Sequence, residues 1–251
     1  MPIESEVDRL VCVEPHDFVQ FSRGRMPAER FHRLNVRWGS RLQHLLGSIG
    51  RGVFDAYAGW VAAGCVGACC IPDSEFEGMW RYAGAVQDAE AFAFSLRHGD
   101  WLRAVANVAE AASGDFPFPG ETPSDPAHSH KKKSKKAKAE IAAAQNQARE
   151  RYDQERKSHR ERTLWQFANE FRDVAGNPFR PVTFDPAWRT ETVVGLATGI
   201  DEAGAYERLP ILADALQEAG CEDEQVLSHA RGPGPHVRGC WLIDMILGRF
   251  A

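Results

Sequence analysis

At 251 residues, 43% hydrophobic and 26% charged, with a formal net charge of -5, the chain has a globular composition with room for one large or two modest cores. Six cysteines, Cys12, Cys65, Cys69, Cys70, Cys221 and Cys240, are too sparse for a disulfide scaffold. No charged head, apolar stretch and cleavage site opens the sequence, so a reducing cytoplasm is the expected setting.

In chain order, Phe18 and Phe21 stand in a polar start, and Pro27 suits the first turn of a helix. From Ala28 to Leu46 the residues Phe31, Leu34, Trp38, Leu42, Leu45 and Leu46 recur at threes and fours. Arg30, Arg33, Arg37 and Arg41 fall between them, which predicts an amphipathic helix with a basic outer face. Residues 47–52 are expected to break it, and Val53 to Ile71 to form a buried helix with Gly59, Gly64 and Gly67 allowing close approach. The nearly uncharged run 56–72 is shorter than the roughly 20 residues of a spanning helix, so no membrane insertion is expected.

Pro72-Asp73-Ser74, with Glu77 three residues after Ser74, has the pattern of a capping box, and helices are predicted over 75–94 and 101–112. Four prolines within 117–126 make residues 113–130 a linker and a domain boundary. Beyond it, His130 to Arg172 holds 13 Lys and Arg against 6 Asp and Glu, leaving 17 against 29 elsewhere, so a basic rod lies between acidic ends. Its apolar residues, Leu164, Trp165, Phe167, Ala168, Phe171 and Val174, gather at the end, which predicts a solvated helix docked by its last three turns. Gly176, Pro178 and Pro181 stop it, Asp185-Pro186 makes a corner, and helices are predicted over 191–200, 206–219, 223–230 and 237–247.

The expected architecture is therefore all-α: an N-terminal helical domain (1–112), a Pro-rich linker (113–130), a long basic helix (131–176) and a compact C-terminal helical module (177–251).

The chemistry-bearing residues concentrate near the C-terminus. The last predicted helix is apolar on both faces beyond Arg238 in its first turn, which makes Asp244 conspicuous, and a buried carboxylate needs a partner; Arg231 and Arg238 are nearest in sequence and are the predicted ion-pair partners. Asp214, inside Leu209 to Leu216, raises the same question. Cys221, His229, His236 and Cys240 are a candidate zinc ligand set, since thiolate and imidazole are the donors zinc prefers. Their spacings of seven, six and three residues include no Cys-x-x-Cys knuckle, and buried cysteines with hydrogen-bonded histidines account for them as well. Cys65, Cys69 and Cys70, among small apolar neighbours, are read as packing residues. Gly232-Pro233-Gly234-Pro235, flanked by Arg231, His236 and Arg238, resembles an anion-binding loop in charge, but its prolines remove two donors and a rigid turn is the expected role. Lys131, Lys132, Lys133, Lys135, Lys136 and Lys138 form a candidate patch for nucleic acid or another polyanion.

The stretch Gly176-Asn177-Pro178-Phe179-Arg180-Pro181-Val182, with Asp185-Pro186-Ala187-Trp188, Arg208 to Leu216, Ala219-Gly220-Cys221 and Arg231 to Trp241, resembles a C-terminal module that recurs in uncharacterised planctomycete proteins. The resemblance implies a small helical fold and a planctomycete-type bacterial source, and transfers no activity. Dispersed chemistry favours a non-enzymatic interaction or scaffold module with a protein partner. The alternatives are a polyanion binder acting through Lys131 to Lys138, and a metal-binding or enzymatic site between Cys221 and Asp244. No cofactor other than a candidate zinc ion is expected.

Overall fold

A computed structural model of the chain describes residues 3–5, 8, 12–22, 25, 28–63, 92, 95–96, 101–115 and 135–249. The fold is all-helical, with no strand among the described residues. Apart from Phe92, the predicted 75–94 helix lies outside them, as do the Ser74 cap, Cys65, Cys69, Cys70, Lys131 to Lys133 and most of the linker. No described helix is long and apolar enough to cross a membrane.

The helices are α1 (Pro15–Ser22), α2 (Ala28–Gly39), α3 (Ser48–Ala62), α4 (Trp101–Gly114), α5 (Lys135–Ala175), α6 (Glu191–Ala203), α7 (Leu209–Glu218), α8 (Glu224–Arg231) and α9 (Trp241–Ile246). Short 3-10 turns at Pro186–Trp188 and Tyr206–Arg208 join the later ones. Helix α2 ends earlier than its apolar periodicity predicts, and residues 40–46 form turns that still bury Leu42 and Leu46. Helix α3 starts at Ser48, so Gly50 and Gly52 lie inside it instead of breaking the chain; burial of Val53, Phe54 and Tyr57 outweighs the roughly 1 kcal/mol that each interior glycine costs.

Two apolar clusters result. The first combines α1 to α4 with the last turns of α5, where Phe18, Phe31, Phe167 and Phe171 meet as aromatic pairs 5.0–6.2 Å apart. The second is built from α6 to α9 around Val193, Leu209, Leu212, Leu216, Ile243 and Ile246. Helix α5 is exposed over most of its first half, and its docking begins at His159 and Arg160, slightly before the apolar residues do: Arg160 bonds Glu110 at 2.9 Å and Ser113 at 2.7 Å on α4.

The arginines of α2 do not form the predicted outer face. They turn inward because α5 and α9 present buried acceptors to them. Arg30 donates to the carbonyls of Val174 and Ala175, at 3.0 and 3.2 Å, satisfying acceptors that the end of α5 leaves unpaired. Arg37 and Arg41 hold Glu170, which is 1% exposed. Burial alone would raise the Glu170 pKa, but the Arg37 and Arg41 bonds and charges outweigh it and hold the carboxyl below its usual range.

Asp244 is fully buried and its cations are Arg33 on α2, at 3.0 Å, and Arg249, at 3.3 Å. This corrects the expected pairing with Arg231 or Arg238: Arg231 bonds Asp214 on the surface, and Arg238 donates to the Asp201 carbonyl. Sequence proximity fails here because Asp244 lies on the side of α9 that faces α2, more than two hundred residues earlier in the chain. Asp214 is itself exposed and needs no buried partner. Arg33→Met is expected to lower unfolding free energy by about 3 kcal/mol, the lower end for removing one partner of a buried charge, because Arg249 remains. Adding Asp244→Leu should recover part of that loss in urea titrations; a single variant as stable as the parent would contradict this pairing.

Candidate functional site

The site forms where the end of α5 meets the turn between α8 and α9. Gly176 ends α5 with a positive φ of 73°, and a Cβ there would lie 3.3 Å from the Trp241 ring, so the chain leaves the helix tightly against α9. The 232–240 segment then returns across α5. Its Gly234-Pro235 bond is cis, and Gly239, with φ of 94°, lets the backbone pass between Arg33 and Val174. This turn also shortens the last helix, which begins at Trp241 instead of Val237.

Asp173 on α5 is the centre. It is 4% exposed, and its Oδ1 lies 2.7 Å from His236 Nδ1 and 3.3 Å from His229 Nε2. The Val237 backbone N–H donates to Oδ2 at 2.9 Å. Cys240 Sγ, fully buried, lies 3.2 Å from His229 Nε2. The four side chains Asp173, His229, His236 and Cys240 place one donor atom each so that all lie within 4.8 Å of one another.

The outer ring nitrogens are also engaged. His236 Nε2 faces the Gly232 carbonyl at 3.4 Å, and the Trp241 indole N–H donates to His229 Nδ1 at 3.2 Å. In the metal-free chain these contacts put the His229 proton on Nε2, where it faces Asp173 and Cys240. A cleft of about 300 Å³ lies beside the histidines and is also lined by Asn169, Arg172, Asn177 and Gln225.

Electrostatics follow from burial and contact. Burial penalises the Asp173 carboxylate, yet hydrogen bonds from His229 and His236, with their charges, hold its pKa below the usual range. For His236 burial disfavours the imidazolium, but the Asp173 bond and charge prevail and raise it above 6.5. Burial, followed by the Asp173 charge, pushes the Cys240 thiol well above 9.0, so without a metal it is an S–H donor and no nucleophile.

Three of the four candidate ligands, His229, His236 and Cys240, come together, and Cys221 does not. It is buried in the second core before α8, and the two turns of that helix separate it from His229. Asp173 stands in its place. Sequence reading passed over Asp173 because it lies in a charged helix outside the cysteine and histidine cluster. The signal was the α5 stripe Leu164, Phe167, Ala168, Phe171, Val174, where Glu170, three residues after Phe167, shares the docked side and Asp173 follows three later. The anion-loop reading finds no convergence: Arg231 bonds Asp214, His236 turns to Asp173, and Arg238 bonds Asp201.

Comparison of the chain with protein-family models, curated proteins and solved structures finds no match.

Asp173→Asn is expected to cost the metal-free chain roughly 3 kcal/mol, since it removes the charge and keeps an acceptor on one side only, setting an NH2 group against a buried donor on the other. The raised His236 pKa contributes stability that is complete below the unfolded value of about 6.5 and is lost as pH rises through the folded value. The lowered Asp173 pKa contributes stability that is complete above about 3.9 and is lost as pH falls through the folded value. The difference between parent and variant should therefore be largest between about pH 4 and 6.5 in chemical unfolding with chelator present. A difference that does not change with pH would contradict the coupling.

Proposed function

We propose that the chain is a non-enzymatic module organised by a zinc-class metal centre, in which Asp173, His229, His236 and Cys240 hold the ion and clamp α5 to the C-terminal helices. The observation that carries this reading is the convergence of four donors of oxygen, nitrogen and sulfur type within 4.8 Å, from α5, α8 and the turn before α9.

The distances suit small rearrangement. Tetrahedral zinc with bonds of about 2.0–2.3 Å separates its ligand atoms by roughly 3.3–3.8 Å. The widest pair here would contract by about 1 Å, and the 2.7 Å Asp173–His236 contact would open by a similar amount. Charge supports the reading as well, since a carboxylate, a thiolate and two neutral imidazoles around a divalent ion sum to zero, which a buried site requires. His236 already has the outer contact of a metal-bound imidazole, with Nε2 toward the Gly232 carbonyl. His229 must move its proton from Nε2 to Nδ1 and give up the Trp241 bond, so metal uptake should alter indole fluorescence. Uptake displaces the thiol proton, so affinity rises with pH.

The fully buried thiol and carboxylate favour a structural over a catalytic ion. The resemblance of residues 176–251 to the planctomycete module is consistent with a shared helical unit, and the motif quoted for it contains His236 and Cys240.

Protein prepared without chelator is expected to carry one zinc per chain by elemental analysis. Cobalt should give a thiolate charge-transfer band that Cys240→Ser abolishes and Cys221→Ser preserves. No stoichiometric metal, and no rise in melting temperature on adding zinc, would remove the proposal.

A second reading concerns the partner. The exposed first half of α5 is an arm whose helix begins at Lys135, Lys136 and Lys138, a polyanion-binding composition. Neutralising the six lysines from Lys131 to Lys138 is expected to abolish retention on heparin at low salt; absence of retention by the parent chain would exclude this reading.

A further inference from the structure

A second cleft, of about 890 Å³, shares His236 with the first and is otherwise lined by different residues. Four arginines line it: Arg33 and Arg37 from α2, Arg238 from the turn between α8 and α9, and Arg249 from the residues after α9. Val36, Ala58, Val61 and Val237 give it an apolar stretch of wall, beside the polar Ser40, Tyr206 and His236.

Among the described residues the only carboxylate lining this cleft is Asp201, and it is committed: its side chain is 8% exposed, 2.7 Å from Arg249 and 3.0 Å from the Tyr206 hydroxyl. Asp244 and Glu170 hold Arg33 and Arg37 from buried positions. Among the described residues, and counting Arg41, which shares Glu170, five guanidiniums meet three carboxylates, so these side chains carry more positive than negative charge. The buried acids also fix the guanidiniums in place before any ligand arrives. A guanidinium has five N–H donors and keeps its charge throughout the ordinary pH range, so one edge can be anchored while another meets an oxyanion.

A volume within the range of small-molecule sites, an apolar wall and an arginine-lined rim select for a ligand with both properties. We infer that this cleft binds a soluble amphipathic oxyanion, a carboxylate or phosphate monoester carried on an apolar chain. The guanidiniums would pair with the head, in the fork geometry suited to carboxylate and phosphate, while Ala58, Val61 and Val237 would cover the tail.

The test is isothermal titration of the full chain with octyl phosphate and octanoate, with octanol and inorganic phosphate as partial ligands, in the presence and absence of chelator. Saturable binding of one octyl phosphate or octanoate per chain is expected, unaffected by chelator, with octanol and inorganic phosphate each at least about tenfold weaker. Arg238→Gln removes a lining charge but keeps an amide donor for the Asp201 carbonyl and the Tyr206 hydroxyl, and Ala62→Glu places a carboxylate at an exposed lining position. Both should weaken octyl phosphate binding about tenfold or more while leaving the thermal melt unchanged. Three results would overturn the inference: no binding of either amphipathic anion, equal binding of octanol, or binding unaffected in both variants. The last of these, together with loss on chelation, would place the anion on the metal and not in this cleft.

Discussion

Two carboxylates that the last turns of α5 bury, Glu170 at 1% exposure and Asp173 at 4%, constrain everything around them. A carboxylate removed from water costs several kcal/mol unless it is paired and hydrogen-bonded. Lying three residues apart, the two recruit different parts of the chain. Glu170 collects Arg37 from α2 and Arg41 from the turn after it, and Asp173 collects His229, His236 and the Val237 backbone from α8 and the turn that follows it. Asp244 completes the circuit from the other direction by reaching Arg33 on α2. Apolar burial supplies the bulk of the cohesion, but these charged contacts determine which surfaces meet, because a slipped helix would leave a charge stranded.

The same constraint explains why the metal-ligand chemistry sits at this junction. A carboxylate with imidazoles and a thiol around it is balanced either by protons or by a divalent cation. In the proton form, His236 carries a raised pKa and Cys240 stays a thiol. In the proposed metal form, the ion replaces those protons and adds bonds among three segments that otherwise meet through hydrogen bonds and Val237. The exposed half of α5 is then a rigid extension of a clamped joint.

Much of the local architecture was legible in the sequence. The apolar stripes gave the long helix, the stops at Gly176 and Pro178 and the C-terminal helices to within a few residues, since these signals act over one or two turns. The basic face of α2 misled for a physical reason: arginine is normally solvated, and only the buried acids of α5 and α9 turn it inward. The partner of Asp244 and the fourth member of the cluster were out of reach for one reason. Arg33 and Asp173 come from segments far from Asp244 and Cys240 in the chain, and proximity in sequence supplied Arg231, Arg238 and Cys221 instead. The histidines and Cys240 were recognisable because they fall within twelve residues, at the end of α8 and in the turn that follows it.

X-ray absorption at the zinc edge of zinc-loaded protein tests the central claim most directly. The account predicts four-coordinate zinc with one sulfur at about 2.3 Å and three nitrogen or oxygen neighbours at about 2.0–2.2 Å, the sulfur lost in Cys240→Ser. A six-coordinate shell of oxygen and nitrogen without sulfur, or two sulfurs from Cys221 and Cys240, would contradict it.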